Sequence, residues 1–546
     1  MNSDDLEQIL LKKCGINPLE KEQFFSPVYT LGDPYLMHDL EKAVVRLYEA
    51  IAAGEKIVIY SDYDCDGIPG AVILSDLLKK INYTNYEVYI PDRHDEGYGL
   101  HMGAVDTFIK NGVTLLITID LGVTAVDEIA HAQVEGIDVI VTDHHLPGEM
   151  LPRAFALVNP KVGGTYPDNM LCGSGVIFTF VRGFLEKYRE YFQIPEGWEK
   201  WSLDMVGIAT LADMVPLVNE NRTLAIYGLM VLAKTKRPGL RELYNLAKID
   251  EQYLSEEDIT FSIAPRLNAA SRMGTPRDAF LLLSETDPAK AKTYALHLSK
   301  INDDRKFEVA RIMKETKQTL KKRELVSVIV IGNPTWRPGV LGLIASKLVE
   351  EYKKPAFVWG GEGDTLKGSC RSDGRVSVVA LMSQATTHLV SYGGHEGAGG
   401  FVALPTGIHG LEETLALQYD AIPVAPIEST VAEQDTILLS PDKISRDVYS
   451  CLNQFAPFGI GNPKPLFELQ NIQIESARLF GKTKEHLEIL ISRTSGYPLK
   501  AILFFAPENY KALSAGTYTI RGYLETSYFM GKKEERMRLT EIMPMV

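Results

Sequence analysis

Residues able to bind a metal ion follow three short apolar runs in the first 145 residues. The runs KIVIY, VTLLITI and IDVIVT are each followed within two residues by acidic or imidazole side chains. Those side chains are Asp62, Asp64 and Asp66 after the first run, Asp120 after the second, and Asp143, His144 and His145 after the third. Carboxylates packed closely together repel one another and take up protons unless a cation lies among them. The pattern therefore predicts a site for divalent cations.

The three apolar runs are typical of buried strands in a parallel sheet. They lie at 56–60, 113–119 and 137–142 and are rich in Val, Ile and Leu without polar alternation, as expected of strands covered on both faces. Stretches at 70–80 and 124–135 read as helices, which gives the strand and helix alternation of a parallel α/β domain. Ligands bind at the carboxyl ends of the strands in such sheets. We therefore expect residues that are distant in the chain to meet at that edge.

The types of ligand favour a transition metal over calcium. The acids at 62, 64 and 66 share the spacing of a calcium loop, but the later Glu of such a loop is missing and the preceding strand does not suit a helix–loop–helix. Asp120 can bridge two ions, and His144 favours a metal such as manganese over magnesium alone. Asp213, which follows the apolar stretch IATLA, is a further candidate ligand. A helix cap or turn residue is the alternative interpretation of Asp213.

Length and composition predict a soluble protein of several domains. A chain of 546 residues is expected to form three or four domains. Its five scattered cysteines contain no Cys-x-x-Cys pair, which argues against a zinc knuckle or a disulfide framework and favours the reducing cytoplasm. The segment MNSDDLEQIL does not resemble a secretion signal, and no apolar run approaches the roughly 18–20 residues that span a bilayer. We therefore expect a cytoplasmic protein with no membrane partner.

The net charge disfavours a nucleic-acid partner, although one segment is an exception. A net charge of −14 is unusual for such proteins, which bind phosphates through clustered Lys and Arg. Residues 290–324 contain eleven Lys and Arg against five acids. A solvated helix face is the alternative explanation of this local excess. Part of the overall acidity belongs to the predicted cation site, where bound ions would offset it.

The chain divides by pattern into five segments. We expect an irregular lead-in over 1–45, an α/β domain over 46–240, a helical connector over 241–324 with one long helix at 287–323, a second α/β domain over 325–425, and short alternating strands over 426–546. Five short strands with alternating polarity suit a small barrel such as an OB-fold.

Ten segments in collinear order carry a family resemblance. SDYDCDG, ITIDLG, TDHH and ADMVPL resemble the four motifs of the DHH phosphoesterase superfamily. CGSGVIF, APRLNAASRMG, WRPGVLGLIASKL, GSCRSDG, GGHEGAGGF and PFGIGNPKPLFE resemble its RecJ branch of single-stranded-DNA exonucleases. Small-for-small exchanges at Ser271 and near Ala398 and Gly399 depart from the family pattern. The resemblance implies an α/β fold with a parallel-sheet DHH domain, a long connecting helix, a second α/β DHH-associated domain and a C-terminal OB-like β-barrel.

The resemblance also implies the roles of individual residues. Two Mn²⁺ or Mg²⁺ ions would be bound by Asp62, Asp64, Asp66, Asp120, His144 and Asp213, with Asp120 as the bridge and Asp143 orienting the ligands. The residues implied in catalysis are Asp120, His144, His145 and His395. The residues implied in substrate binding are Arg266, Arg272, Ser369, Arg371, Ser372, Gly393, Gly394 and His395.

The implied activity is removal of 5′-mononucleotides from single-stranded DNA in DNA repair and recombination. The family implies a monomer, with a helicase, a single-strand-binding protein or a replisome subunit as candidate partners. In the barrel, the candidate DNA contacts are Tyr523, Tyr528, Phe529, Lys532, Lys533 and Arg536, and ordinary barrel packing is the alternative for the aromatic ones. Two other functions stay open: a phosphodiesterase of short oligonucleotides or cyclic dinucleotides, and a non-catalytic replication or repair scaffold.

Overall fold

The structure of the protein, a computed structural model, forms two compact units. The first unit contains Met1–Tyr89, Leu100–Ala264 and Val431–Val546, and the second contains Ile90–Gly99 and Pro265–Thr430. Within the described part of the chain, no helix is both long and apolar enough to cross a membrane. The residues that the structure describes are 3–93, 96–362, 365–422, 436–481, 484–494, 496–506, 510, 513, 516–529 and 532–544.

The first unit opens with helices and strands that alternate along the chain. The strands are β1 (Ile57–Ser61), β2 (Tyr86–Tyr89), β3 (Leu115–Ile119), β4 (Asp138–Thr142) and β5 (Ala156–Val158). The helices are α1 (Ser3–Lys13), α2 (Lys21–Phe25), α3 (Leu40–Ala53), α4 (Gly67–Lys80), α5 (Met102–Lys110), α6 (Val126–Val134), α7 (Gly173–Tyr188), α8 (Leu203–Ala212), α9 (Asn219–Leu232), α10 (Pro238–Ala247) and α11 (Glu256–Asp258).

The five strands of this first part form one parallel sheet in the order β2-β1-β3-β4-β5. β1 and β3 are buried along their whole length. Helices α4 and α7 contact one side of the sheet, and apolar residues of α5 and α6 form a core with Val58 and Leu116 on the other. Covered faces explain why these strands lack polar alternation. The predicted parallel α/β domain is confirmed.

The second unit contains the predicted long helix and a mixed sheet. The helix spans 33 residues, about 50 Å at the usual rise per residue. The sheet has the order β6-β7-β8-β10-β9, in which only the β6 and β7 pair is parallel. The elements are α12 (Ala264–Met273), α13 (Arg277–Ser284), α14 (Pro288–Leu320), β6 (Ile329–Asn333), α15 (Pro338–Tyr352), β7 (Ala356–Glu362), β8 (Thr365–Arg371), α16 (Val378–Ser383), β9 (Leu389–Gly394), β10 (Ala398–Ala403) and α17 (Leu411–Ala421).

Some Lys and Arg side chains of the long helix α14 are paired with acids. Arg311 lies 2.6 Å from both Glu308 and Glu315, and Lys317 lies 2.7 Å from Glu351. Exposed ion pairs of this kind stabilise a helix by only a few tenths of a kcal/mol, roughly 0.3–0.5. This part of the basic excess at 290–324 is therefore a solvated helix face.

The last part of the first unit is a closed barrel. Strands β12, β13, β14, β16 and β15 pair in that order, and β12 also pairs with β15, which closes the ring. The predicted barrel of five strands is confirmed. The elements are β11 (Ile437–Leu438), α18 (Arg446–Phe455), β12 (Phe467–Phe480), β13 (His486–Ile491), β14 (Leu499–Leu503), β15 (Thr517–Phe529) and β16 (Lys532–Pro544).

The prediction of an irregular lead-in over 1–45 was wrong. Helix α1 places Leu6, Leu10 and Leu11 in the same hydrophobic core as the barrel and α18. All three leucines are at most 5% exposed. The spacing of Leu6 and Leu10 is the i, i+4 repeat of an amphipathic helix, which was the signal in the sequence. The acids and lysines around these leucines made the i, i+4 repeat hard to recognise in the sequence.

Two helices of the first unit approach so closely that only glycine fits between them. A Cβ built on Gly228 in α9 would lie 2.5 Å from the Cα of Gly207 in α8. Helix backbones this close leave no room for a methyl group, and overpacking costs about 1–3 kcal/mol. We therefore expect Gly228→Ala to lower the melting temperature of the protein. Because α8 ends directly before Asp213, we also expect the variant to bind Mn²⁺ more weakly.

The matched control for this prediction is Gly103→Ala. Gly103 lies in α5, and a Cβ there would meet nothing within 4 Å. Alanine in a helix is about 0.5–1 kcal/mol more favourable than glycine, so this variant should melt at the wild-type temperature or slightly above it. Equal melting temperatures for the two variants would contradict the close contact between α8 and α9.

Candidate metal centre

Three acidic residues lie side by side at the carboxyl edge of the parallel sheet. Asp62 directly follows β1, Asp120 directly follows β3, and Asp143 directly follows β4. The backbone amide of each acid donates a hydrogen bond of 2.9–3.1 Å to a carbonyl of the neighbouring strand in the sheet. The strand register therefore continues for one residue beyond the strands. Asp120 has a φ of 63°, in the left-handed region that non-glycine residues rarely adopt. Such strain is often found at functional sites.

Ligand atoms of seven candidate residues converge at this edge. In each of three groups, one atom per residue lies within 4.8 Å of the others. Asp120 belongs to two of the groups and His144 belongs to two. The groups are Asp120 with His144 and His145, Asp66 with His144 and Asp213, and Asp62 with Asp64 and Asp120. Because the groups share members, they form one continuous cluster of candidate ligands.

Distances from His144 have the size expected of ligands around a common cation. Its Nε2 lies 3.2 Å from Asp120 Oδ1, 3.7 Å from Asp213 Oδ2 and 3.8 Å from Asp66 Oδ2. Two ligands at right angles around an ion, each about 2.1 Å from it, are about 3 Å apart. Oxygen and imidazole nitrogen together suit manganese, and the oxygens also suit magnesium. The donor set therefore fits these two ions.

Burial and like charges shift the pKa values of the clustered acids upward. Burial, together with the charges of Asp66 and Asp64, raises the pKa of Asp120 well above its ordinary value. The same causes raise the pKa of Asp213 to about 8. Burial lowers the pKa of His144, so the imidazole favours its neutral, metal-binding form. A cation would relieve the repulsion among these acids.

Asp143 orients the two histidines. Its Oδ1 accepts hydrogen bonds from the His144 amide at 2.7 Å and from the His145 ring Nδ1 at 2.8 Å, and its Oδ2 accepts one from the Val123 amide at 2.9 Å. Burial is the largest influence on the pKa of His145 and acts to lower it, but the hydrogen bond to Asp143 and the charges of Asp143, Asp66 and Asp213 together raise the pKa above its ordinary value. Carboxylates that hold a histidine ring in this way fix its orientation toward a metal or substrate.

Two helix N-termini hold the acids of the first motif. Both carboxylate oxygens of Asp66 accept backbone hydrogen bonds of 2.6 Å, from Gly173 and Ser174 at the start of α7. Asp64 accepts from the amides of Asp66 and Gly67 at the start of α4, at 2.8 and 3.2 Å. A helix N-terminus carries a partial positive charge that stabilises a carboxylate. The CGSGVIF segment thus serves the metal site by orienting Asp66.

Glycine is required at two positions that touch the site. A Cβ on Gly67 would lie 2.6 Å from the backbone oxygen of Asp62, and a Cβ on Gly173 would lie 2.6 Å from the side chain of Asp120. Either contact would push a candidate ligand away. These close approaches explain the glycines that follow Asp66 and Cys172 in the sequence.

The sequence interpretation missed two residues that support the histidine backbone. Asn159 donates a hydrogen bond of 3.0 Å to the carbonyl of His145, and the Lys161 ammonium donates to the carbonyl of His144. Burial lowers the pKa of Lys161. Both follow β5 in the segment ALVNPK, which repeats the pattern of a polar residue after an apolar run. That pattern was the available signal.

In the second unit, several predicted substrate residues surround the start of helix α15. A Cβ on Gly342 in α15 would lie 3.1 Å from Ser369 Oγ and 3.2 Å from the Arg371 guanidinium. One turn earlier in α15, the carbonyl of Gly339 accepts a hydrogen bond of 3.4 Å from the Arg272 guanidinium. Burial and the charge of a second arginine, Arg93, lower the pKa of Arg371. Guanidinium groups beside a helix N-terminus favour an anion such as phosphate.

The remaining predicted substrate residues lie at other places in the second unit. Gly393, Gly394 and His395 lie at the turn between β9 and β10, where the His395 side chain is exposed. The Ser372 hydroxyl donates to the carbonyl of Val376 at 2.6 Å, so it supports a local turn. Gly394 has a φ of 140°, which only glycine adopts readily.

Arg266 belongs to a separate cationic cluster. Burial lowers the pKa of Arg266, of Arg305 and of Lys306, and the charge of Arg266 lowers that of Lys306 further. Asp303 is the acid that partly offsets these charges. Arg305 and Lys306 lie in the basic segment of the long helix α14. Arg305 and Arg93 are therefore further cationic candidates that the sequence did not single out.

Candidate DNA contacts on the barrel have partners within the first unit. Tyr528 stacks on Tyr253 with ring centroids 3.8 Å apart. Arg536 lies 2.8 Å from Glu525, and Lys533 lies 3.1 Å from Glu535. The cations of this group are therefore largely neutralised. Of the others, Tyr523 lies 5.5 Å from the Arg538 guanidinium, and the side chains of Phe529 and Lys532 lie outside the described residues.

Comparison with protein families matches three regions of the chain. Residues 56–210 match the DHH family N-terminal domain, residues 324–406 match the DHHA1 domain, and residues 437–541 match the RecJ OB domain.

Two named relatives match almost the whole chain. The single-stranded-DNA-specific exonuclease RecJ of Haemophilus influenzae is 32% identical and covers 94% of this chain and 92% of its own length. The protein of the same name from Bacillus subtilis is also 32% identical and covers 97% of this chain and 67% of its own length. The chain belongs to the RecJ family.

A solved structure of a RecJ protein shares the fold. The crystal structure of RecJ from Thermus thermophilus in complex with Mn²⁺ covers 98% of this chain and 75% of its own, with a TM-score of 0.80 and 26% identity. The resemblance inferred from the ten motifs is thus confirmed, together with the predicted RecJ-type order of DHH domain, DHHA1 domain and OB barrel.

We predict that Asp120→Asn raises the melting temperature of the metal-free protein and reduces the stabilisation that Mn²⁺ provides. Removing one charge from a crowded, buried cluster should raise the melting temperature without metal, because it relieves repulsion. Saturating Mn²⁺ should stabilise the wild type, by about 2.7 kcal/mol at one hundred times the dissociation constant, and should stabilise the variant much less. Thermal melts with and without Mn²⁺ measure both effects.

The control for Asp120→Asn is Glu190→Gln, which removes one negative charge from an exposed position in the turn after α7. This variant should melt like the wild type under both conditions. Equal stabilisation of wild type and Asp120→Asn by Mn²⁺ would contradict the role of Asp120 as a shared ligand.

Proposed function

We propose that this protein is a metal-dependent exonuclease that degrades single-stranded DNA from the 5′ end to 5′-mononucleotides, in DNA repair and recombination. The observation that carries the proposal is the continuous ligand cluster in which Asp120 and His144 are each shared by two groups. Family membership supports the substrate, because the relatives are named single-stranded-DNA-specific exonucleases. The OB barrel supports binding of a single strand, since barrels of this type bind oligonucleotides.

The metal ions in this proposal are two Mn²⁺ or Mg²⁺ ions. Their ligands are Asp62, Asp64, Asp66, Asp120, His144 and Asp213. Two such ions, when bound, supply Lewis-acid activation of water and of the phosphodiester. The protein keeps the ligands in place: Asp143 fixes both histidines, and the start of α7 fixes Asp66.

His145 has a role in catalysis besides any contact with metal. Burial acts to lower its pKa, but the hydrogen bond to Asp143 and the charges of Asp143, Asp66 and Asp213 together raise the pKa. Its Nδ1 lies 3.9 Å from Asp120 Oδ1, at the centre of the ligand cluster. A protonated ring held there can donate a hydrogen bond to the oxygen that carries the growing negative charge. In the same proposal, His395 is a donor to the substrate.

The phosphate at the 5′ end of the strand is bound by Arg371 and Ser369, with Arg93 and Arg272 beside them. The support is chemical: guanidinium groups and a hydroxyl meet at the first turns of α15, whose N-terminus favours an anion. Arginine can grip a terminal phosphate through two parallel hydrogen bonds. Arg266, Ser372, Gly393 and Gly394 complete the proposed substrate-binding set.

We place this activity in the cytoplasm, with the enzyme acting as a monomer. All five cysteines are free in the structure, and free thiols are typical of proteins in a reducing compartment. A helicase, a single-strand-binding protein or a replisome subunit is the proposed source of its substrate or its recruitment. Single strands in a cell are produced and coated by proteins of these classes.

The test of the proposed function uses Mn²⁺ and three labelled oligonucleotides. We expect rapid release of labelled mononucleotide from a 5′-labelled single strand, slow release from the same strand labelled at the 3′ end, and little release from a blunt duplex. Asp120→Ala should lose more than about 10³-fold in rate, as expected when a metal ligand needed for charge stabilisation is removed. Equal rates for wild type and Asp120→Ala, or equal cleavage of duplex, would reject the proposal.

A separate prediction concerns the 5′ phosphate. Arg371→Ala should raise the KM for a 5′-phosphorylated strand by about 10-fold or more, because a hydrogen bond to a charged group is worth about 1.5–3 kcal/mol. The variant should also lose the preference for a 5′-phosphate over a 5′-hydroxyl, measured as the ratio of the two KM values. Lys347→Ala, which removes an exposed cation from α15, is the control and should keep that ratio. An unchanged ratio in Arg371→Ala would remove Arg371 from the phosphate site.

A further inference from the structure

The backbone that follows the ligand Asp213 is strained. Asp213 directly follows α8, and Met214 directly after it has a φ of 60°. Asn219, which starts α9, has a φ of 46°. Asparagine adopts the left-handed region more readily than other non-glycine residues, but for a residue such as Met214 this conformation costs about 1–2 kcal/mol and persists only where neighbouring structure holds it. The segment 213–219 therefore needs support from outside itself.

Residues near the candidate metal ligands supply part of the support for the segment 213–219. Val215 is 7% exposed and packs in one buried cluster with Cys172 and Ala209. Cys172 precedes the α7 residue Gly173, whose amide holds Asp66. Packing at Val215 thus ties the segment 213–219 to the same helix start that orients another ligand.

The remaining support comes from the chain just before the barrel. We call residues 457–462, of sequence PFGIGN, the glycine loop. The amide of Leu217 donates a hydrogen bond of 2.7 Å to the carbonyl of Ile460 in this loop. A Cβ on Gly459 would lie 2.8 Å from the Leu217 side chain, and a Cβ on Gly461 would lie 3.1 Å from Val218. The glycine loop therefore lies directly against the segment that carries Asp213.

The glycine loop is itself held rigidly. The side-chain amide of Asn462 is buried and donates 2.8 Å hydrogen bonds to the carbonyls of Phe455 and Pro457. The backbones of Gly459 and Asn462 also bond to each other, at 2.9 and 3.2 Å. From α9, the buried Arg222 guanidinium donates to the carbonyls of Phe455 and Ala456 at 3.3 and 3.2 Å. A loop fixed from both sides can hold a strained neighbour in place.

We propose that the glycine loop is a positioning element for the metal ligand Asp213. The proposal rests on the proposed function, in which Asp213 binds a metal ion. The loop acts through the hydrogen bond to Leu217 and through close packing at Gly459 and Gly461, which together keep the left-handed turn at Met214. The region that leads into the barrel is then part of the scaffold of the metal centre. A mere docking role for the loop would lower stability without changing the affinity for metal.

The test compares alanine substitutions at two glycines that have similar φ angles but different surroundings. Gly461 has a φ of 79° and Gly496 a φ of 89°, so alanine strains the backbone at either position. A Cβ on Gly496 would meet nothing within 4 Å, whereas one on Gly461 meets the segment 213–219. We expect Gly461→Ala to raise the dissociation constant for Mn²⁺ about 10-fold or more, as found when groups that orient ligands are lost. Gly496→Ala should bind Mn²⁺ like the wild type.

Calorimetric titration of the DNA-free full chain with Mn²⁺ is the measurement, beside thermal melts without metal. Wild-type affinity in Gly461→Ala would overturn the proposal, whatever its melting temperature. If Gly461→Ala fails to fold, Gly459→Ala decides instead: its new methyl would lie 2.8 Å from the Leu217 side chain, so we expect weaker Mn²⁺ binding, and wild-type affinity would overturn the proposal. Absence of Mn²⁺ binding by the wild type would refute the proposed function, which is a different outcome from equal binding by wild type and variants.

Discussion

Repulsion among carboxylates at one edge of a parallel sheet is the constraint on which the first unit depends. The strand register places Asp62, Asp120 and Asp143 next to one another, and helix ends bring Asp66 and Asp213 to the same edge. Unpaired carboxylates in a buried site would take up protons. In this fold, backbone amides at two helix starts stabilise the carboxylates, an acid holds the histidines, and the ligands are arranged so that they can surround a cation. Each of these devices needs residues that are far apart in the chain.

Much of this site could be predicted because strand ends in a parallel sheet follow a simple rule. Apolar runs mark the strands, and the residue after each run lies at the functional edge. Helix starts that orient Asp66 and Asp64 could not be predicted, since hydrogen bonds to backbone amides leave no mark on residue type. Arg93 was missed for a related reason: a single basic residue between two elements carries no pattern, and its partner Arg371 is remote in sequence.

The net charge of the chain hides two opposite local environments. On the barrel, Arg536 and Lys533 face carboxylates, as do Arg311 and Lys317 on the long helix. In the second unit, Arg371 and Arg93 lie close enough to depress one pKa, and Arg266 does the same to Lys306. Cations that lie near one another together favour a phosphate. Local pairing thus decides more about DNA binding than the sum of charges.

The packing of helix α1 against the barrel has a consequence for how the protein is made. Leu6 and Leu10 share a core with β12 to β16, which are translated more than four hundred residues later. At roughly 5–20 residues per second, the ribosome needs on the order of half a minute or more after α1 to synthesise the barrel strands that complete this core. During this interval the leucine face of α1 has no partner within the barrel. We therefore expect nascent chains of this protein to expose the apolar side chains of the α1 segment, which chaperones can recognise.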